Sequence, residues 1–426
     1  MNFVTLPSRQ IPVAGECDVI VAGGGPAGFS AAVWAGRQGA KTLLIEQAGQ
    51  VGGVATTGLM SHWTGNTKGG FYEEILDRSR FPHVGRMTID PERLKLLMFD
   101  MLDEAGADTL LYTFCSEAIV ENNRVTGIVT QSKNGARAFR GKVFIDATGD
   151  GDVAASAGAE FYKGRETDGK MQPMTIMFKV GGVDVPRAIF PGGFESYVNV
   201  PNGEIQSLAR AEIPHPAGHV LLYNGSIPGI VTVNMTNAID VDGTRAEDLT
   251  RAEKLCRRQI PIIVDFLRRN APGYENCVAI SSASIIGVRE TRHFKGLYTL
   301  TEDDILAARV FDDWVVTKAH FNFDIHNVKG AGLDEHGVQK EFRQPNGYTI
   351  PYRCLVPEKL DGLLLAGRCI SGTHKAHSNF RVMPICANMG QAAGVAAALV
   401  ASRNLLPREA PVVEIQTILR GQGVEP

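Results

Sequence analysis

The residues best placed to do chemistry are glycines. Gly23-x-Gly25-x-x-Gly28 follows the apolar run Asp18-Val19-Ile20-Val21-Ala22 and leads into the helix-like stretch Phe29 to Gln38. In that setting the first glycine permits a tight strand-to-helix turn, and the second lets backbone approach a pyrophosphate. The third lets helix and strand pack closely, while the unpaired amides at the helix N-terminus attract the anion. Pro26 and Ala27 complete the turn. A second buried strand, Lys41 to Ile45, ends on Glu46 and Gln47. A carboxylate there accepts hydrogen bonds from ribose hydroxyls and disfavours a 2′-phosphorylated nucleotide. The pattern predicts a dinucleotide-binding β-α-β unit.

Three features favour FAD over NAD as the dinucleotide. The motif lies near the start of the sequence. A second Gly/Thr loop, Gly52 to Gly58 with Gly53 and Thr57, follows the second strand. The sequence closes with a strand (362–366), then Gly367-Arg368 and an Ala/Gly-rich helix expected from about Asn388 to Ser402. Flavin chemistry also needs a base. His374 and His377 fall in an expected polar loop, 371–381, where an imidazole near its ordinary pKa of ~6.5 takes a proton. Arg381 in that loop fixes a carboxylate or polarises a carbonyl. Arg289, Glu290 and Arg292 suit either a substrate contact or a domain-boundary ion-pair network. His320 and His326 read more simply as core or interface histidines than as catalysts.

The elements that must hold these residues are legible in outline. Asp90 caps a helix with Pro91 at its first position and Gly106 past its end, and its apolar residues recur at i, i+3, i+4. Residues 108–147 read as a β-meander with turns at 121–123 and 133–135, and its last strand runs into Gly149 and Asp150. The stretch 160–345 differs: Pro/Gly punctuation, a strand at 230–235, a helix at 246–270 with Pro261 inside, and a capping box at Thr301 and Asp304. The expected fold is α/β: a Rossmann-like FAD-binding domain, parallel sheet plus β-meander, built from 1–160 and 346–426. An inserted α+β substrate or cap domain fills 161–345.

Composition narrows the function classes. The 426 residues carry a formal charge of −3, which gives no support for a nucleic-acid or anionic-membrane binder. Seven cysteines with no C-x-x-C pair argue against a disulfide framework, a cysteine zinc site or a dithiol centre, and no metal is expected. No apolar signal-like run opens the sequence, and the stretch 386–400 falls short of the ~20 residues that span a bilayer. A soluble, cytoplasmic protein is the expectation.

Beyond these readings, the sequence resembles the bacterial FAD-dependent oxidoreductases of the glutathione-reductase-like superfamily, relatives of fumarate reductase flavoproteins. The resemblance rests on Ser8-Arg9-x-Ile11-Pro12-Val13, the glycine motif, 147–152, Gly287-Val288-Arg289-Glu290-Thr291-Arg292, 350–353, 366–368, His374 to Arg381, and 390–394. It implies that Gly23, Gly25 and Gly28 hold the FAD pyrophosphate and Glu46 the adenosine ribose. Gly52 and Gly53 would line the pyrophosphate and ribityl region, Gly149 and Asp150 the adenine side, and Gly367 the cofactor's length. Arg368 stands where disulfide-reductase relatives have an acid. The turn Asn388 to Gln391, with Gly390, would face the flavin pyrimidine edge, where a helix N-terminus stabilises negative charge. Without a second nucleotide motif, electrons would pass through the small-molecule substrate itself or a separate donor or acceptor; a homo-oligomer is compatible with this. The expected reaction is hydride transfer between a hydroxyl- or amine-bearing carbon and the flavin. The alternatives are a fumarate-reductase-like C=C reductase with Arg381 as proton donor and, more distantly, a flavin-dependent RNA-modifying protein.

Overall fold

A computed structural model describes residues 4, 7–81, 84–335 and 346–426. Its first sheet grows from the β-α-β unit. Strand β1 (Val13–Ala22) pairs in parallel with β2 (Thr42–Ile45), joined by helix α1 (Pro26–Arg37). Helix α2 (Phe71–Ser79) and helix α3 (Pro91–Glu104) precede β3 (Ala107–Leu110), which adds in parallel to β2. As the sequence predicts, Asp90 caps α3 by accepting from the amides of Glu92 and Arg93.

The meander follows as β4 (Phe114–Glu121), β5 (Arg124–Ser132) and β6 (Gly135–Asp146). Asn122 and Asn123 both sit at positive φ, which a tight hairpin turn requires and asparagine tolerates. The long strand β6 pairs antiparallel with β5, parallel with β1, and at its C-terminal end parallel with the strand Leu363–Leu365. The sheet order is β3-β2-β1-β6-β5-β4, with Leu363–Leu365 beside β6. The C-terminal segment thus completes the sheet that the N-terminal segment begins.

The helix Met383–Arg403 lies across α1. An added Cβ on Gly390 would sit 1.9 Å from Ala27 O, and one on Gly394 2.3 Å from Ala31 O. Only glycine lets these helices touch backbone to backbone. At 21 residues this helix begins earlier and runs longer than the sequence reading had it, and it meets the length of a membrane span. Most of its most apolar stretch, 89%, is buried against α1 and the sheet.

A second, antiparallel sheet orders the strands Leu222–Asn224, Val231–Val233, Phe178–Gly181 and Val278–Ser282. The 25-residue helix Ala246–Asn270, with Pro261 inside it, supplies Ile263, Phe266 and Leu267 to the core beneath. The stretch expected as one insert divides. Residues from Met174 to Ala283 build separate cores, whereas Phe294, Leu300, Phe311, Trp314 and Phe323 join the first. The expected boundary at 345 lies outside the described residues. The helix Glu302–Leu306 carries the anticipated reciprocal capping box between Thr301 and Asp304.

Candidate active site

A cavity of about 640 Å³ opens where β1, α1 and the loop after β6 meet, and it continues to the edge of the second sheet. At its first end each motif glycine has a distinct reason. Gly23 has φ +92°, and a Cβ there would lie 2.5 Å from Ala147 O. A Cβ on Gly28 would lie 1.8 Å from Gly23 O, so this residue permits the turn without facing the cavity. Gly25 is the opposite case: an added Cβ would meet nothing of the protein within 4 Å, only the cavity. Gly25 is also the N-cap of α1 and makes no side-chain cap, leaving that helix end open to an anion.

Glu46 lines this end with Gln47 and fixes the loops around it. Its Oε2 accepts from the Gly24 amide at 2.6 Å and its Oε1 from the Ala48 amide at 2.7 Å. Gly53 and Thr57 line the wall, Thr57 Oγ1 donating to Gly53 O. Gly52, at φ +106°, sits behind them, where its amide donates to Gly24 O. Gly149, Asp150, Gly367 and Arg368 form the opposite wall. Asp150 Oδ1 accepts from Arg368 Nη2 at 3.0 Å and from Thr291 Oγ1 at 2.7 Å. Arg368 is therefore tied to the loop after β6.

The other end of the cavity gathers Arg289, Arg381, Asp324 and His326. Arg289 is largely buried and spends its Nη1 bonds on neutral oxygens, Pro173 O at 2.6 Å and Thr175 Oγ1 at 2.8 Å. Burial, reinforced by Arg381, pushes its guanidinium down to about 10. Arg381 Nη2 donates to Asp324 O and Oδ2 at 2.9 and 3.0 Å, and burial lowers its pKa too. Burial alone would raise the Asp324 carboxyl, yet His326 and the two guanidiniums hold it well below the usual range. Burial and then Arg289 push His326 down to about 4, against the opposing pull of Asp324. The imidazole is neutral at pH 7, with Nε2 3.3 Å from Asp324 Oδ2, so Nδ1 is left as the ring's acceptor. Among the residues lining this end, two guanidiniums face one carboxylate, while the buried Glu290 behind the wall also acts on Arg381.

Several expected site residues lie elsewhere. His374 and His377 are in a helix, His374–Phe380, and not in a polar loop; both are buried away from the cavity. His374 Nδ1 is 2.5 Å from Glu290 Oε1, and His377 packs edge-on against His293. The core helix begins at Met383, with Pro384 in its first turn, so Val382, Met383 and Cys386 face the cavity. The turn 388–391 is already inside that helix. Asn388 Oδ1 accepts from the Tyr72 amide at 3.0 Å and Gln391 Oε1 from the Phe71 amide at 2.9 Å. These side chains cap α2, and Gly390 packs on α1. His326 and Asp324, and not the two helix histidines, line the cavity beside the arginines. A D-x-H triplet was the only sequence signal for them.

A family model described as FAD dependent oxidoreductase matches residues 18–419. The chain belongs to that family. The oxidoreductase is also similar to curated proteins over part of its length. It is 33% identical over 139 residues to the tRNA uridine 5-carboxymethylaminomethyl modification enzyme MnmG of Campylobacter hominis, covering 28% of this chain and 22% of that protein. It is 30% identical over 176 residues to thiamine thiazole synthase of Aeropyrum pernix, covering 37% and 63%. It therefore spans less than two thirds of the length of either relative. Its fold is similar to that of a geranylgeranyl bacteriochlorophyll reductase-like protein from Thermoplasma acidophilum, at a TM-score of 0.50 and 15% identity over 96% of this chain and 84% of that one. A variant of the flavin-dependent brominase Bmp2 gives a TM-score of 0.50 at 13% identity, over 95% and 84%.

The residues present fit FAD. Gly25 leaves space that any side chain would fill, at a helix end with no cap of its own. Arg368 Nη1 and Arg381 Nε, buried in residues of the cavity wall, have no hydrogen-bond partner in the protein. Bound FAD would be held by the loop 23–27, Glu46, Gly53, Thr57, Gly149, Gly367 and the first turn of the core helix.

Proposed function

We propose that this FAD-dependent oxidoreductase exchanges a hydride with a small substrate that bears a carboxylate beside a hydroxyl- or amine-bearing carbon. The observation that carries the reading is that Arg289 and Arg381 meet at one end of the cavity, where Asp324 is bonded to Arg381 and, among the described residues, Arg289 has only neutral oxygens as hydrogen-bond partners. A buried cation without a counter-charge is costly, and a substrate carboxylate offsets it. When bound, FAD supplies a two-electron hydride acceptor. The protein must supply orientation and a place for the proton.

Arg289 and Arg381 would hold the carboxylate and so position the neighbouring carbon. As its C–H bond breaks with the electron pair leaving as hydride, the hydroxyl or amine proton passes to His326 Nδ1. Asp324 holds the other ring nitrogen and stabilises the imidazolium that results. The anion helps in a second way. Arg289 and Arg381 both depress His326, so neutralising them on binding raises the imidazole toward its ordinary range. The base strengthens only when substrate is present.

The test is anaerobic mixing of the flavin-loaded protein with matched pairs of compounds: 2-hydroxy and 2-amino acids against the corresponding neutral alcohols and amines. The acids should bleach the flavin absorbance. An Arg289→Met protein should need about 10–100-fold more acid, the ~1.5–3 kcal/mol of a charge-assisted bond. Bleaching by the neutral compounds alone, or an unchanged Arg289→Met protein, overturns the reading.

A further inference from the structure

Behind the cavity wall, three imidazoles crowd one carboxylate. Glu290 is fully buried and, unlike Arg289, does not line the cavity. Its Oε1 accepts from His293 Nε2 at 2.8 Å and lies 2.5 Å from His374 Nδ1, while its Oε2 accepts from the Gln172 amide at 3.0 Å. His377, 1% exposed, meets the His293 ring edge-on with centroids 4.9 Å apart. One ligand-type atom from each of Glu290, His293 and His377 lies within 4.8 Å of the other two.

A salt-bridge network does not account for this arrangement. The carboxylate is already served by two imidazoles and an amide, yet a third imidazole is packed beside it. Nδ1 of His293 and Nδ1 of His377 are both buried with no hydrogen-bond partner. Each such vacancy costs ~1–3 kcal/mol, and buried polar groups are normally paired. A vacant imidazole nitrogen on His377, packed with a second imidazole and a carboxylate whose ligand atoms lie within 4.8 Å of one another, points to an electron-pair acceptor among the three.

We propose that Glu290, His293 and His377 bind a divalent transition-metal ion of the zinc class. Two imidazoles and a carboxylate suit Zn²⁺, whereas Ca²⁺ and Mg²⁺ demand more oxygen ligands than the cluster has. At Zn–ligand bonds of ~2.0–2.1 Å, tetrahedral ligand atoms sit about 3.3 Å apart, so a bound ion would draw the three groups together from their present spacing of within 4.8 Å. His374 and the Gln172 amide hold the carboxylate from outside, as partners of ligating carboxylates do. The site would bind together the two segments that carry the cavity arginines. Glu290 follows Arg289 directly, and the helix bearing His377 ends at Arg381.

The test is the metal content of flavin-loaded, full-length protein purified without metal-affinity resin, by plasma mass spectrometry before and after chelator dialysis. Calorimetric titration with ZnCl2 then follows, on wild type and His377→Ala. The expected result is about one tightly held zinc per chain, with binding weakened more than about 100-fold in the variant, beyond the loss of an outer partner. Wild-type protein without stoichiometric metal and without a tight ZnCl2 isotherm overturns the proposal, as does an isotherm unchanged in the variant. If His377→Ala does not fold, X-ray absorption of wild-type zinc decides: imidazole scattering supports the site, and sulfur-only or water-only coordination overturns it.

Discussion

Replacing Gly25 with alanine separates the protein's need for this residue from the cofactor's need. The backbone there has φ −65° and ψ −177°, which alanine adopts without strain. The new methyl would touch no protein atom within 4 Å. A Gly→Ala change at a compatible site stabilises by ~0.4–1 kcal/mol through the unfolded chain, so the cofactor-free protein should melt no lower than wild type. The methyl instead occupies the space into which the helix N-terminus presents its amides. Losing one hydrogen bond to a charged group costs ~1.5–3 kcal/mol. At 1.4 kcal/mol per decade, FAD affinity should fall about 10–100-fold. Equilibrium dialysis or flavin fluorescence titration reads the affinity, and calorimetric melting of the cofactor-free protein reads the fold. Wild-type affinity in Gly25→Ala would refute the placement of the pyrophosphate. A large loss of stability without cofactor would refute the claim that the space belongs to a ligand. Gly28→Ala is the control, since its methyl would collide with Gly23 O at 1.8 Å and must damage the fold itself.

Gln391→Ala should leave FAD affinity unchanged while costing ~0.5–2 kcal/mol of stability, because its side chain caps α2 at the Phe71 amide; melting and flavin titration on the same sample check both halves. The pH profile tests His326. The free protein's imidazole sits at about 4 and must be neutral to accept a proton, so kcat/KM should fall only below about pH 4. The acid limb of kcat, which reports the complex, should lie at higher pH, and His326→Gln should abolish both limbs.

Local signals in the sequence were readable where the physics is local. Asp90-Pro91 and Thr301-x-x-Asp304 satisfy amides two or three residues away, so the caps can be read without tertiary information. The glycine motif is similar, because its turn is made within six residues. Its individual roles were not legible: Gly28 and Gly25 have the same side chain, and only the fold shows that one avoids Gly23 O while the other faces open space. The core helix starts at Met383, which Pro384 in its first turn marks, whereas the Ala/Gly-rich composition begins only further on. The arginine end of the cavity depends on distant meetings. Asp324 contacts Arg381 and Glu290 contacts His374, and no periodicity encodes either. His374 and His377 looked like loop groups because a seven-residue buried helix of polar residues carries no apolar pattern.

The strand Leu363–Leu365 lies beside β6, more than two hundred positions behind it in the order of synthesis. A nascent polypeptide emerging from the ribosome must hold the margin of β6 uncovered until Leu365 has been added. The nucleotide pocket shares that delay, for Gly367 and the helix over α1 follow that strand. Maturation of the coenzyme site thus waits for residues 363–403, and products truncated before them should emerge colourless.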